Sequence, residues 1–227
     1  FVNKQYPDVK FASPVSGTVR EVVRGERRKV LCIKVDADAQ QEFADFGKRD
    51  VGSMSGEQVI NALLEAGLFG YINQLPYAVS TNPSVQPKAI YVSTLRDKPL
   101  AADFEYEVKG QEQDFQTGLT ALSKIAKTYL GVGVNSALKG MNDVVVNVFD
   151  GKCPAGNVGV QVNHVDPVNK GEVVWTIGDP TVVLFIGRLF NTGKVNLSRT
   201  VALCGSEITS PAYVDMLVGL ADRKSVV

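Results

Sequence analysis

The sequence predicts an α/β fold: a parallel sheet whose short strands alternate with helices, preceded by a run of short antiparallel strands. Three observations carry this. Short apolar runs bounded by turn residues recur along the chain, as buried strands should. Between them apolar residues return at every third and fourth position, the spacing of an amphipathic helix. Near the start, by contrast, apolar and polar residues alternate with period two.

Taken in order, Val19, Glu21 and Val22, then Val30, Cys32, Ile33 and Val35, set out the alternating strands, with Pro14, Gly17 and Gly25 at turns. Residues 36–54 are charged, contain glycine and hold no period, so they read as a connection with the domain boundary inside it. Ser55-Gly56-Glu57-Gln58 places a hydroxyl three residues before a glutamine, a capping box, ahead of Val59, Ile60, Leu63 and Leu64 at helical spacing, closed by Gly67. After a proline-rich segment at 76–87, AIYVST at 89–94 reads as a buried strand. Leu119, Leu122, Ile125, Ala126 and Tyr129 then read as one helix ending at Gly131. The pattern repeats with VVVNV at 144–148, a Gly/Pro loop, and an extended segment at 173–177. Asp179-Pro180 is a helix start, because the carboxylate accepts free amides and proline has no N–H to strand. The helix runs over 180–191 with Gly193 at its end. TVALCG at 200–205 reads as another short buried strand, and the last twenty residues as the start of something further. The alternation implies a parallel sheet with right-handed crossovers.

Composition excludes several functions. With 24 basic against 24 acidic side chains the chain has no net charge and no long basic cluster, so nucleic acid is not an expected partner. Cys32, Cys153 and Cys204 lack paired spacing, which argues against a disulfide framework or a zinc or iron–sulfur site and reads as reduced cytosolic thiols. His164 is the only histidine. The longest apolar run, near 181–187, is far below the ~20 residues of a spanning helix, so membrane association is expected only through partners. Residues 1–10 are polar and mixed in charge, unlike a signal peptide, and read as the middle of a protein.

FASPVSGTVREVVRG at 11–25 carries the Pro-x-x-Gly-x-Val pattern of biotinyl/lipoyl-type barrels. A carrier would need an exposed lysine in a partner hairpin, and the sequence offers none, so a scaffold reading is preferred. GKCPAGNVG at 151–159 could bring backbone amides to a phosphate, but it is not GxGxxG and no good helix start is read directly behind it. Cys153 has only Lys152 nearby to activate it. His164, in VNHVDP, is read between a strand and Asp166-Pro167, as a proton donor or as a hydrogen-bonded loop residue. Trp175 lies in an apolar run and is expected in the core rather than on a ligand. Capping accounts for Asp179. No GxSxG is present, which sets hydrolase chemistry aside.

FVNKQYPDVKFASPVSGTVREVVRGERRKVL, FDGKCPAGNVGVQVNHVDPVNKGEVVWTIGDPTVVLFIGRLFNTG and RTVALCGSEITSP together closely resemble the NqrA family of the Na+-translocating NADH:quinone reductases, in order and spacing across nearly the whole chain. The resemblance implies part of a biotinyl/lipoyl-like barrel and a linker at 1–54, a Rossmann-like domain at 55–205, and the start of a β-grasp domain of the SLBB type at 206–227. It is similar in turn to the flavin- and NADH-binding subunit of respiratory complex I. Where those relatives set flavin on a glycine-rich turn, this chain has EAGLFGYINQLPY, and Leu68, Phe69, Tyr71 and Ile72 would obstruct the approach. It departs from the family pattern at Cys153, where a histidine commonly precedes PAG, and at Gln161-Val162-Asn163-His164, where His-x-His is common.

The resemblance further implies a peripheral subunit on the cytoplasmic face of the bacterial inner membrane, without flavin, Fe–S cluster or metal of its own. It would dock on partner subunits that hold FMN, FAD and Fe–S. No catalytic residue is assigned to this chain. Lys152, Cys153, Pro154, Gly156, His164 and Trp175 are the candidate contacts for quinone or for partner subunits. The competing expectation is a soluble flavin- or NAD(H)-dependent oxidoreductase using 151–164 as its cradle.

Overall fold

Six strands form one sheet whose order differs from their order in the chain, and that permutation positions the site. The computed structural model describes residues 2–220. Residues 221–227, the last part of the segment expected to open a β-grasp domain, and Phe1, at the start of the expected barrel, lie outside them. Strands β1 (Gly17–Arg24) and β2 (Val30–Ala37) pair antiparallel as a separate hairpin, as the period-two alternation anticipates. Helix α1 (Gly56–Glu65) begins with the expected capping box: Gln58 N–H donates to Ser55 Oγ at 3.3 Å and Ser55 N–H to Gln58 Oε1 at 2.8 Å.

Next come β3 (Asn73–Leu75) and β4 (Val79–Ser80), neither of which the proline-rich sequence announces. Strand β5 (Ile90–Ser93) is buried along its length. Helices α2 (Phe104–Val108) and α3 (Glu112–Ile125) lead to β6 (Thr128–Gly133). The single helix expected through Tyr129 therefore breaks at Ala126, whose backbone is extended (φ −158°, ψ 168°). Thr128, Tyr129 and Val132 prefer the pleated surface, and Tyr129 stacks on Tyr91 of β5 with centroids 4.8 Å apart. Strand β7 (Val145–Phe149), helix α4 (Val158–Val165), strand β8 (Val174–Ile177) and helix α5 (Thr181–Thr192) follow. Gly193 ends α5 in the left-handed conformation, φ 76°.

The order across the sheet is β4-β3-β8-β5-β6-β7. Strands β8, β5, β6 and β7 are parallel, whereas β3 runs antiparallel to β8 and β4 antiparallel to β3. The sheet is thus mixed at one edge, not wholly parallel. The run at 200–205 does not join it: β9 (Ser198–Leu203) is half-buried and pairs with β10 (Ala212–Leu217) in a second hairpin.

Each sheet face has its own core. Ile90, Val92, Leu130, Val132, Trp175 and Ile177 enter the larger cluster with α1, α3 and α5. Tyr91, Tyr129 and Val174 enter a smaller one beneath Val158, Val162 and Val165 of α4. Leu68, Phe69 and Ile72, expected to fill the position of a flavin turn, lie fully buried in the larger core. Helices α3 and α5 cross in backbone contact, since a Cβ on Gly118 would fall 2.2 Å from the Val183 carbonyl oxygen and one on Gly187 1.7 Å from that of Asp114.

Candidate functional site at the carboxyl edge of the sheet

Strand β5 sends the chain to β6 on one side, while β8, reached from β7 through α4, lands on its other side. In open α/β sheets the crevice outside the carboxyl ends of two such strands is where ligands bind. Residues 95–101, leaving β5, and Gly178, leaving β8, wall a cleft of about 280 Å3 that is closed by Gly156, Asn157 and Val158 at the start of α4. A second cleft of about 540 Å3 shares Leu95, Arg96 and Ala101 and reaches Ser136, Phe149 and Asp150 beyond β6 and β7.

The helix that GKCPAGNVG was expected to lack starts directly behind it. Asn157 caps α4, accepting from Gly159 N–H at 2.8 Å, so the loop does deliver a helix N-terminus to the cleft. Buried Gln161 of α4 anchors this loop, donating to Ser93 Oγ at 2.9 Å and to the Ala155 carbonyl at 3.0 Å. Ser93 Oγ in turn donates to the Gly156 carbonyl at 2.9 Å. Gly131 makes room: a Cβ there would lie 2.1 Å from Gln161 Oε1. Asp97 reaches across from β5, its Oδ2 accepting from Gly156 N–H at 2.8 Å.

Behind this wall lies a charge cluster. Asp179 accepts from Arg199 of β9 at 2.7 Å and from Arg96 at 2.9 Å, and weakly caps α5 through Thr181 N–H at 3.3 Å. Buried Glu107 of α2 accepts from Thr181 Oγ1 at 2.8 Å and lies 3.8 Å from Arg96. Burial pushes the Glu107 carboxyl up, against the pull of Thr181, Arg199 and Arg96. Burial opposes ionisation of Asp179 too, but Arg199 and Arg96 outweigh it and hold that carboxyl below the usual aspartate range. Capping alone therefore does not account for Asp179, which ties β5, β8, α5 and the β9–β10 hairpin together.

A lowered folded pKa gives stability that is present above the ordinary aspartate value and lost as pH falls through the depressed one. Asp179→Asn is accordingly expected to cost about 1–2 kcal/mol at neutral pH, less than a fully buried pair because the side chain is 39% exposed. Urea denaturation of both proteins checks this. The difference should shrink as pH falls below the ordinary aspartate range, and a constant difference would show that the charge is not what stabilises.

Of the candidate contacts, Lys152, Cys153, Pro154 and Gly156 share the loop before α4, and Gly156 lines the smaller cleft. Lys152, Cys153 and Pro154 are exposed. His164 stands apart near the far end of α4, not in a loop after a strand, with Nδ1 2.8 Å from the Val160 carbonyl oxygen. Trp175 is fully buried on the opposite face of the sheet from α4, edge-on to Phe69 at 5.4 Å. Arg96, Asp97, Glu107 and Arg199 were not singled out from sequence, and Gln161 only as a departure from the family pattern. For Arg96 and Asp97 the readable signal was their place, a charged pair a few residues after the buried run AIYVST.

Comparison with known proteins covers both parts. Residues 54–195 match the NqrA second alpha/beta domain and residues 1–38 the NqrA N-terminal barrel-sandwich hybrid domain. Among curated proteins, the NqrA subunit of the Na(+)-translocating NADH-quinone reductase of Hahella chejuensis is 35% identical over 225 residues, that of Pseudomonas aeruginosa 33% over 223, and that of Neisseria meningitidis 32% over 225. Each alignment covers 96% of this chain and 50% of the relative, so the chain spans about half the length of these relatives.

Proposed function

This chain belongs to the NqrA family of the Na+-translocating NADH-quinone reductases, and on that premise we propose that it is a peripheral subunit of such a complex, on the cytoplasmic face of the membrane. In that assembly NADH is oxidised, quinone is reduced and Na+ is exported. FMN, FAD and Fe–S belong to the partner subunits, and this chain contributes docking surface and a contact for quinone without a cofactor of its own. No helix among the described residues is long and apolar enough to cross a membrane, in keeping with attachment through partners. The α/β part over 55–205 is Rossmann-like, and residues 206–227 are the start of an SLBB-type β-grasp domain.

The observation that carries the reading is the family match over 54–195, a span that contains every residue of the switch-point cleft. Leu95, Ala101 and Val158 offer that cleft an apolar lining for an uncharged ring, while Lys98 in its wall supplies a donor for its oxygens. A backbone NMR titration of the 227-residue chain with a short-chain quinone is expected to shift amides at 95–101 and 150–158. Separate titrations with FMN and NADH are expected to leave them in place. Saturable shifts with either nucleotide would instead support the soluble oxidoreductase and sink the cofactor-free assignment.

A further inference from the structure

We infer that Asp97 is a built-in occupant of the place where a ligand phosphate would sit, and that it sets the switch-point cleft against anions and toward uncharged ligands. The inference deepens the reading of this cleft as a ligand site, yet its test needs no quinone, so each can fail alone.

Three features of the cleft place the carboxylate. First, a phosphate on an open α/β sheet is met by backbone amides where a loop turns into a helix, because those amides lack intrahelical partners and carry the positive end of the helix dipole. Here that point is the Gly156–Asn157 turn into α4, and the acceptors such a position attracts are already supplied from within. Asn157 Oδ1 takes the Gly159 amide and Asp97 Oδ2 takes the Gly156 amide, each at 2.8 Å. Secondly, Asp97 comes from a different element, the segment after β5, and meets Gly156 across 59 residues of sequence. It is not the local capping that any helix recruits from its own first turn.

Thirdly, the carboxylate lies close against the turn. A Cβ on Gly156 would lie 2.6 Å from Asp97 Oδ1 and 2.3 Å from the Leu95 carbonyl oxygen, so the carboxylate rests on the bare backbone at the distance a phosphate oxygen would adopt. Arg96 is committed to Asp179 at 2.9 Å and does not neutralise Asp97. An incoming anion would therefore meet a fixed negative charge a few ångströms away in a half-buried cleft, where repulsion is only weakly screened. An uncharged ring would meet no such opposition.

The test is titration of inorganic phosphate at constant ionic strength into the wild-type chain and into Asp97→Ala, followed by the amides of 95–98 and 156–159. With the carboxylate removed, the wall keeps Arg96 and Lys98, and the Gly156 amide is free. Asp97→Ala is expected to bind phosphate saturably and roughly tenfold or more tighter than wild type. Asp97→Asn removes the charge but leaves an acceptor on Gly156, and is expected to bind more weakly than Asp97→Ala. Should Asp97→Ala not fold, Asp97→Ser serves as the vacated form. Binding by the wild type as tight as that of the vacated form, or none by the vacated form, would overturn the inference. Equal binding by Asp97→Asn and the vacated form would overturn the occupancy it asserts.

Discussion

Replacing Gly187 with alanine is expected to destabilise the protein by about 3 kcal/mol, lowering the thermal midpoint by roughly 6–12 °C for a chain of this size. On an isolated helix the same change would stabilise by about 1 kcal/mol, since glycine is the poorer helix former. Packing reverses the sign. Gly187 lies in the middle of α5, and an added methyl would sit 1.7 Å from the Asp114 carbonyl oxygen and 3.0 Å from the Asp114 Cα of α3. Those atoms are backbone in a regular helix and have no rotamer into which to retreat. Gly118 of α3 meets the Val183 carbonyl oxygen in the same way, so the two helices must separate as bodies. Separation opens the apolar cluster that Phe115 and Leu122 share with Val183 and Phe190. Thermal or urea denaturation of G187A measures the cost. A midpoint equal to that of the wild type would show that the crossing yields to a methyl group and that glycine is not required there.

Trp175→Ala is expected to cost about 3–5 kcal/mol, the range for emptying a large aromatic site that cannot collapse. The indole is wholly buried in the middle of β8, between strands on both sides, and meets Phe69 edge to face. The sheet fixes its Cα, so neighbouring side chains can move into the space only by leaving their own positions. Its Nε1 has no hydrogen-bond partner among the described residues, so the cost is one of packing rather than of a lost hydrogen bond. Because Trp175 is the only tryptophan, the wild-type emission itself reports on the site. It should be blue-shifted and protected from acrylamide until the chain unfolds. Ready quenching in the native state, or a loss below about 1 kcal/mol for the alanine variant, would place the side chain at a surface.

The elements legible in the sequence were those with local causes. Ser55 and Gln58 announce α1 because both halves of the capping box lie within four residues, and Gly193 announces the end of α5 through its own backbone. AIYVST and VVVNV announce β5 and β7 through short apolar runs set between turn residues. Where the cause is distant, the reading failed. Tyr129 continues the spacing of α3, yet it enters a strand because β5 offers Tyr91 to stack on and a parallel ladder to join, and no pattern within the helix encodes that partner. Strand β3 is three residues beside a proline, and besides two-residue β4 its ladder comes from β8, about a hundred residues further on. The site divides in the same way. The loop at 151–157 was visible from its glycines and proline. Asp97 and Arg199 were not, and Gln161 stood out only as a departure from the family pattern, because each acquires its role from a contact made 20 to 68 residues away. The missed start of α4 has a simple reason: Asn157 is a good cap, but three of the four residues after it are valine or glycine, which rank poorly as helix formers.

The placement of β8 has a consequence for how the chain matures as it leaves the ribosome. Strand β8 is the last of the six sheet strands to be synthesised, yet it lies between β3 and β5, pairing Asn73 with Thr176 on one flank and Ile90 with Trp175 on the other. Until residue 177 emerges, β5, β6 and β7 can form a three-stranded parallel ladder, but β3 and β4 have only each other. Residues 68–80 must then wait with Phe69 lacking Trp175, the ring it meets in the finished sheet. A nascent chain halted before β8 would expose an apolar flank and an unpaired strand edge together, the combination that recruits chaperones or aggregates. Closure of the sheet and assembly of the switch-point cleft thus become one late event, since the same strand that fills the gap also brings Gly178 and Asp179 to their partners.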